Sequence, residues 1–445
     1  MMKTFSIGGV HPHENKLSDN QSILTAEIPK QAVILLGQHI GAPAKPIVAK
    51  GDKVKAGTKI AEANGFVSTA IHSSVSGKVA KVDSIIDASG YAKPAVFIDT
   101  EGDEWEESID CSDTLVKECA LTPEEIIKKI ADAGIAGMGG ACFPTHVKLT
   151  PPPSSKAECV IINAVECEPY LTADHQLMLE HAEEILVGTA ILMKAAKVNK
   201  AFIGIESNKP DAIRLMTKAA SAYTGITVVP LKVKYPQGSE KQLIAAVAGR
   251  QVSSGALPVS VGAVVQNAGT AFAVYQAVQK NKPLFERVIT VTGKSLPKPS
   301  NFMARIGTPV QQLIDACGGL PGDTGKIISG GPMMGKALVH TDVPTAKGSS
   351  GIVIMNRKEA KRSEAQNCIR CAKCVSVCPM GLEPYLLSAL SENGNYERLE
   401  QEKIMDCMEC GSCQFTCPAN RPLLDYCRLG KSKVGAIIRA RQAKN

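Results

Sequence analysis

A chain of 445 residues with 44% hydrophobic and 21% charged side chains has enough apolar matter for buried cores, and at roughly 150 residues apiece it divides into about three domains. Fifteen cysteines with only 4% aromatics and one tryptophan (Trp105) exclude a disordered chain, a collagen-like fibre and an aromatic-rich binder of single-stranded nucleic acid. The net charge of +7 is a local feature: Arg428, Lys431, Lys433, Arg439, Arg441 and Lys444 crowd the last stretch with no acid among them, so the remainder is close to neutral and no nucleic-acid partner is expected.

In chain order, the opening MMKTFSIGGVHPHENK lacks the apolar core and cleavage site of a secretory signal. That predicts a reducing cytoplasmic setting, where clustered thiols mean metal or redox chemistry. Residues 1–110 are expected to form an N-terminal domain. Within it, residues 40–82 carry short alternating strands and turns at Lys50-Gly51-Asp52 and Ala56-Gly57-Thr58, similar to a biotinyl/lipoyl-type barrel-sandwich. Carriers of that fold present a lysine on a hairpin where this chain has Gly65-Phe66, so packing or docking is expected instead of a swinging arm. His11 and His13 receive no ligand role.

Residues 111–286 read as an α/β domain. Thr122-Pro123-Glu124-Glu125 opens a helix that runs to about Ala133. The glycine run from Gly134 to Lys148 (GIAGMGGACFPTHVK) lets backbone N–H groups approach a phosphate closely, and Lys148 adds a cation. It is neither a Walker A nor a Rossmann fingerprint, because Cys142 replaces the third glycine and a helix precedes it. A strand over 157–165 delivers Asn163, Glu166 and Glu168 to the carboxyl edge of a sheet, where ligands of open α/β folds sit. A long amphipathic helix over Asp174–Lys197 and strands over 200–207 and 225–235 follow. The uncharged run 251–279 is interrupted by Pro258, Gln266, Asn267, Gly269 and Thr270, so it reads as loop, strand and helix and not as a membrane span. Tyr235–Glu240 and Gln266–Thr270 supply two more strand-end loops, and together the loops suggest a nucleotide pocket.

Residues 287–340 resemble a small β-grasp module, whose Gly330–Gly335 loop is either a cofactor-facing loop or a tight turn. Residues 341–362, rich in Lys, Thr, Gly and Ser, are expected to be a linker. The strongest signal lies in 363–430: Cys368, Cys371, Cys374 and Cys378 before Pro379, then Cys407, Cys410, Cys413 and Cys417 before Pro418. This doubled C-x2-C-x2-C-x3-C-P run is the signature of two [4Fe–4S] clusters with crossed ligation. One cluster is expected on Cys368, Cys371, Cys374 and Cys417, the other on Cys407, Cys410, Cys413 and Cys378. Structural zinc would prefer two separated C-x2-C pairs. Helical stretches between the motifs point to an α-helical ferredoxin domain. The other seven cysteines (Cys111, Cys119, Cys142, Cys159, Cys167, Cys317 and Cys427) are expected to be small buried hydrophobes. Residues 431–445 form a basic, helix-compatible tail suited to anionic lipid or an acidic partner.

The segment Gly137-Met138-Gly139-Gly140-Ala141-Cys142-Phe143-Pro144-Thr145-His146-Val147-Lys148 resembles the G-R-G-G-A-G-F-P-T-G-x-K loop of the FMN- and NADH-binding flavoprotein subunit of respiratory complex I. Asn163, Glu166 and Glu168 fit that family's N-A-D-E-x-E-P, Tyr235, Gly238 and Glu240 its Y-x-x-G-E-E, and Asn267 and Thr270 its N-N-x-E-T. Met138, Cys142, His146, Val165 and Ser239 depart from it. Gly8-Gly9-Val10-His11-Pro12 with Lys16, joined to this core and the two cysteine motifs, resembles the RnfC family of the Rnf electron-transport complexes over essentially the full length. The resemblance implies an α/β multidomain chain: barrel-sandwich, FMN-binding core, β-grasp module and two-cluster ferredoxin domain. It implies non-covalent FMN held by Gly137, Gly139, Gly140, Ala141, Phe143, Lys148 and the matched loop residues, with NAD(H) as substrate. It further implies a peripheral subunit on the cytoplasmic face of the inner membrane, working with membrane and iron–sulfur subunits and indirectly with ferredoxin, while partners move Na+ or H+. Two alternatives share the layout: a cobalamin reductase of microcompartments, and a flavin-less iron–sulfur relay or docking subunit.

Overall fold

The computed structural model describes residues 2–442. The expected Lys444 of the basic tail lies outside them. The barrel-sandwich is present as two small antiparallel sheets. One orders Gln31–Leu35, Ala92–Thr100, Gly77–Ile86 and Lys53–Val54, and the other orders Lys45–Pro46, Lys59–Glu62 and Ile71–His72. Ala32, Ile34, Ile60, Ile71, Val96 and Ile98 fill the space between them and are fully buried. The segment before Ile28 is not part of this unit. Ile23–Thr25 pairs in parallel with Ser300–Arg305 of the β-grasp sheet, and Lys3 and Val10 bridge to Leu231 and Tyr235.

The central domain is a four-stranded parallel sheet ordered Ile226–Leu231, Ala201–Glu206, Cys159–Asn163, Ala263–Asn267. Its strands are apolar on both faces because helices cover both sides, as parallel sheets require. The helix Pro123–Asp132 begins as expected, with Thr122 and Glu125 forming a reciprocal capping box. The expected single helix over Asp174–Lys197 is instead two, Ala173–Glu180 and Ala182–Ala195, broken at His181. It is not amphipathic either. Ten of the fourteen residues of the second helix are buried, because it lies between neighbouring elements and packs closely on the helix Ala268–Gln279. A Cβ on Gly188 would collide with the Ala271 carbonyl oxygen.

The β-grasp sheet corrects a second expectation. Gly351–Asn356, inside the expected linker 341–362, is a buried strand between Glu286–Thr292 and Thr324–Ser329. Its GIVIM run is what a two-sided central strand requires; the flanking Lys, Thr, Gly and Ser hid it. The ferredoxin domain is helical as expected, with Pro384–Glu392 and Tyr396–Gln401 between the motifs. It closes with a 20-residue helix, Leu423–Gln442. As far as Gln442 the basic segment is therefore the second half of a packed helix. Val434 is fully buried, Lys431 Nζ donates to the Cys407 carbonyl at 2.5 Å, and Arg441 pairs with Glu400 at 2.9 Å.

Candidate functional site: a flavin-loop crevice against a thiol cage

Strand order in the central sheet reverses between Cys159–Asn163 and Ala263–Asn267. Such a switch point opens a crevice at the carboxyl ends of the two strands. Their terminal residues, Asn163 and Asn267, are register partners, and the glycine loop lies over them. Met138 N donates to Thr270 Oγ1 at 2.9 Å, and Gly137 N donates to the Phe143 carbonyl at 2.8 Å. A Cβ on Gly139 would stand 2.7 Å from Asn267 Nδ2, whereas one on Gly140 would meet nothing. Asn267 caps the helix Ala268–Gln279, accepting from Gly269 N at 2.8 Å. That aims a helix N-terminus at the crevice, a favourable place for a phosphate.

The third and fourth loops close on the same point. Asn163 Nδ2 donates to the Gly238 carbonyl at 2.6 Å, and Lys148 Nζ reaches Glu240 at 2.6 Å and the Val265 carbonyl at 3.1 Å. Ala141 is exposed and Phe143 half-buried at the outer turn of the loop. Glu166 is spent differently from the expectation for a ligand contact. Its two oxygens accept from Asp174 N and His175 N and cap the next helix. Asp174, absent from the sequence-based site, accepts from Asn267 Nδ2 at 2.6 Å, and burial with the neighbouring Glu166 charge pushes its carboxyl up to about 6. Buried Arg287, also missed, lies near Asp174 and Glu166 and donates to the Lys347 carbonyl at 2.6 Å. Neither had a signal, since each sits in an ordinary helix or strand.

These residues fit FMN. Glycines leave open space where side chains would intrude, and a helix N-terminus supplies positive potential; Lys148, expected as the phosphate cation, is instead spent on Glu240 and the Val265 carbonyl. Buried Gln266, in the strand that ends at the crevice, has both Oε1 and Nε2 without a partner, as does Gln237 Nε2 beside the loop at Gly238. Buried polar groups of that kind are retained where a polar ligand satisfies them.

Glu168 joins this crevice to the next module. Its carboxylate accepts from Met333 N at 3.1 Å and Met334 N at 2.8 Å, in the Gly330–Gly335 loop of the β-grasp module. The Tyr235 hydroxyl lies 3.4 Å from Glu168 Oε1 and 2.8 Å from the Cys410 carbonyl oxygen. The glycine-rich β-grasp loop thus receives a role: a Cβ on Gly331 would strike Glu168. The N-terminal Gly-Gly…Lys motif supports the same joint. Gly9 N donates to the Val377 carbonyl, and a Cβ on Gly8 (φ +69°) would stand 2.6 Å from the backbone of Cys378. Lys16 Nζ donates to the carbonyls of Glu166, Glu168 and Leu171 at 2.6–2.9 Å, and burial lowers its ammonium to about 8. A cavity of about 260 Å³ beside Cys167 and Tyr235 is lined also by His11, Glu14, Lys16 and Glu206.

Cys378, Cys407, Cys410 and Cys413 line one apolar cavity with Leu382, Leu387 and Leu424. This is the crossed set, three thiols of the second motif with the fourth of the first. Cys374 lies near enough to Cys417 for their charges to interact. Cys368 and Cys371 are exposed. No three His, Cys, Asp or Glu side chains among the described residues are placed to hold one metal ion. Thiols ringing a cavity suit a cube of four irons better than a single zinc. Among the seven other cysteines the expectation of burial holds for Cys159, Cys317 and Cys427, while Cys111 is exposed and Cys119, Cys142 and Cys167 are half-buried. Cys427 is more than a packing residue: it lines the same cavity and its thiol is hydrogen-bonded to Cys407.

Comparison with known proteins identifies the modules and the family. Four family models match in order: the RnfC barrel sandwich hybrid domain over residues 3–103, the Nuo51 FMN-binding domain over 130–276, the SLBB domain over 288–337 and the 4Fe-4S dicluster domain over 360–418. The chain is 46% identical to the corresponding subunit of the proton-translocating ferredoxin:NAD(+) oxidoreductase complex of Clostridium ljungdahlii, covering 100% of this chain and 97% of that one. It is 45% identical to the corresponding subunit of the Na(+)-translocating complex of Acetobacterium woodii, covering 96% of each. The chain belongs to the RnfC family. It is an oxidoreductase component whose cofactors are FMN and two [4Fe–4S] clusters. The full-length matches favour this family over the microcompartment cobalamin reductase. Among solved structures it is similar to an NAD+-reducing [NiFe]-hydrogenase, at 17% identity and a TM-score of 0.48, covering 70% of this chain and 62% of that one. No helix among the described residues is long and apolar enough to cross a membrane.

Proposed function

We propose that the chain exchanges electrons with NAD(H) at the switch-point crevice and relays them singly through two clusters in a fixed order. Cys407, Cys410, Cys413 and Cys378 would hold the cluster on the crevice side, and Cys368, Cys371, Cys374 and Cys417 would hold the one at the outer end. The observation that carries this order is Tyr235, whose hydroxyl touches both Glu168 of the crevice and the carbonyl of Cys410. Gln242 Nε2 adds a second crossing, donating to the Pro379 carbonyl at 3.0 Å. The exposed Cys368 and Cys371 suit an exit toward another subunit. FMN, when bound, supplies the conversion between a two-electron hydride and single electrons. The chain's own residues position and insulate: Gly139 and Gly140 admit the ligand, Lys148 stays ion-paired with Glu240, and Leu382, Leu387 and Leu424 keep water from the inner thiols. The relatives' names support work inside a complex that couples ferredoxin and NAD+ chemistry to Na+ or H+ movement by other subunits. Peripheral attachment at the cytoplasmic face is the placement we infer.

An anaerobic NADH titration followed by flavin absorbance and EPR tests the reading. Bleaching with reduction of both clusters is expected, and unbleached flavin refutes it. Order is tested by Cys410→Ser, which should leave flavin bleaching intact and the outer cluster oxidised. Cys371→Ser should leave the inner cluster reducible. The reverse pattern overturns the order.

A further inference from the structure

The hairpin tip that lipoyl- and biotinyl-type domains use for a lysine carries Phe66 here, and the structure sets that tip on the rim of the flavin loop. Four ties hold it there. Ile40 N donates to the Cys142 carbonyl at 3.2 Å, and His146 Nε2 lies 3.3 Å from the Phe66 carbonyl oxygen. Thr69 Oγ1 donates to the Ala131 carbonyl at 3.3 Å. Lys347 Nζ, fully buried, donates to the carbonyls of Ala70 at 2.9 Å and Gly134 at 2.6 Å and so staples the hairpin to the start of the loop. The Phe66 ring stands edge-on to the His146 imidazole, with centroids 6.3 Å apart and planes at 89°. Its backbone is fixed, yet the side chain is 61% exposed.

A lone exposed phenylalanine is ordinary. One fastened to the mouth of a nucleotide loop, on a tip its own domain does not need for packing, calls for a ligand. Exposed large apolar side chains on the two loops of the tip are Ile40 and Phe66 alone, far less than the roughly 800 Å² that a protein partner covers on each side. A flat base matches one ring.

We infer that Phe66 is the stacking platform for the adenine end of NAD(H), with His146 fixing its orientation. The inference rests on the crevice being the NAD(H) site. It makes the barrel-sandwich domain part of substrate recognition: the place of a swinging arm is taken by a fixed aromatic that holds the non-reacting half of the substrate. Stacking of a base on an aromatic ring changes affinity by about tenfold or more.

The test uses the full chain loaded with FMN and clusters, reducing an artificial acceptor with NADH or with NMNH, which lacks the adenosine half. In Phe66→Ala the KM for NADH should rise about tenfold while kcat and the KM for NMNH move far less. ADP-ribose affinity, measured by calorimetry, should fall by a similar factor, and Phe66→Trp should restore both. Unchanged NADH KM and ADP-ribose affinity, or an equal loss with NMNH, overturns the inference. If NADH fails to bleach the wild-type flavin, the parent reading falls. Phe66-dependent ADP-ribose binding would then still support the platform, and absent ADP-ribose binding would refute it.

Discussion

Glu168 is where the crevice meets the β-grasp loop and, through Tyr235, the backbone of Cys410. Burial pushes its carboxyl up to about 7, against the pull of the Met333 and Met334 amides and Tyr235. A folded value above the ordinary 4.5 means the native state keeps a proton that the unfolded chain has released. Its contribution is therefore fully present at low pH and is lost as pH rises through that window. Glu168→Gln retains an acceptor and removes the titration. Anaerobic urea unfolding at about pH 5.5 and about pH 8 should show a smaller loss of stability in the variant than in the wild type. Buried Glu206, also raised to about 7 by burial, keeps part of the slope in both. An identical loss in the two proteins would show that Glu168 is charged in the crevice throughout. At this scale the motif residues were legible, but their use was not. Glu166 reads as a ligand contact and serves as a helix cap, since nothing local announces that the next helix starts at Ala173 without a side-chain cap of its own.

Elements divide by how local their cause is. The helix at Pro123 and the second cysteine loop follow from residues within a turn of each other: the helix starts at its capping box, and Cys407, Cys410 and Cys413 line one cavity. The break at His181 and the strand Gly351–Asn356 follow from what packs around them, so periodicity and flanking composition misled. The cysteine loops carry a direct test. Cys407→Ala should lower bound iron from about eight to about four per chain. Cys427→Ala should retain about eight, since Cys427 touches the cage without the spacing of a ligand. Equal iron loss in both would make Cys427 a ligand and break the motif assignment.

For the whole molecule, the N-terminal and C-terminal segments both pack against the elements that the proposed electron path uses. Residues up to Lys16 brace the joint between Glu168 and Cys378, and the last helix backs the thiol cavity through Lys431, Val434 and Cys427. Ending the chain after Gly430 should therefore cost cluster iron, and not merely membrane or partner association. It removes the donor to the Cys407 carbonyl and uncovers apolar surface, worth about 1.5–3 kcal/mol for a buried valine alone. A truncated chain that still holds about eight irons with an unaltered cluster spectrum would restore the picture of a separable basic tail.

By itself the sequence picked out the two cysteine motifs, the glycine loop and the order of modules, because short-range spacing and backbone freedom dictate those features. Only the tertiary structure decided that Tyr235 links Glu168 to the Cys410 backbone, that Phe66 stands at the rim of the glycine loop, and that the charge at the end of the chain is partly spent on Cys407, Glu409 and Glu400. Each of these depends on contacts between residues tens to hundreds of positions apart, set by how sheets and helices bury their faces, and no local pattern encodes them.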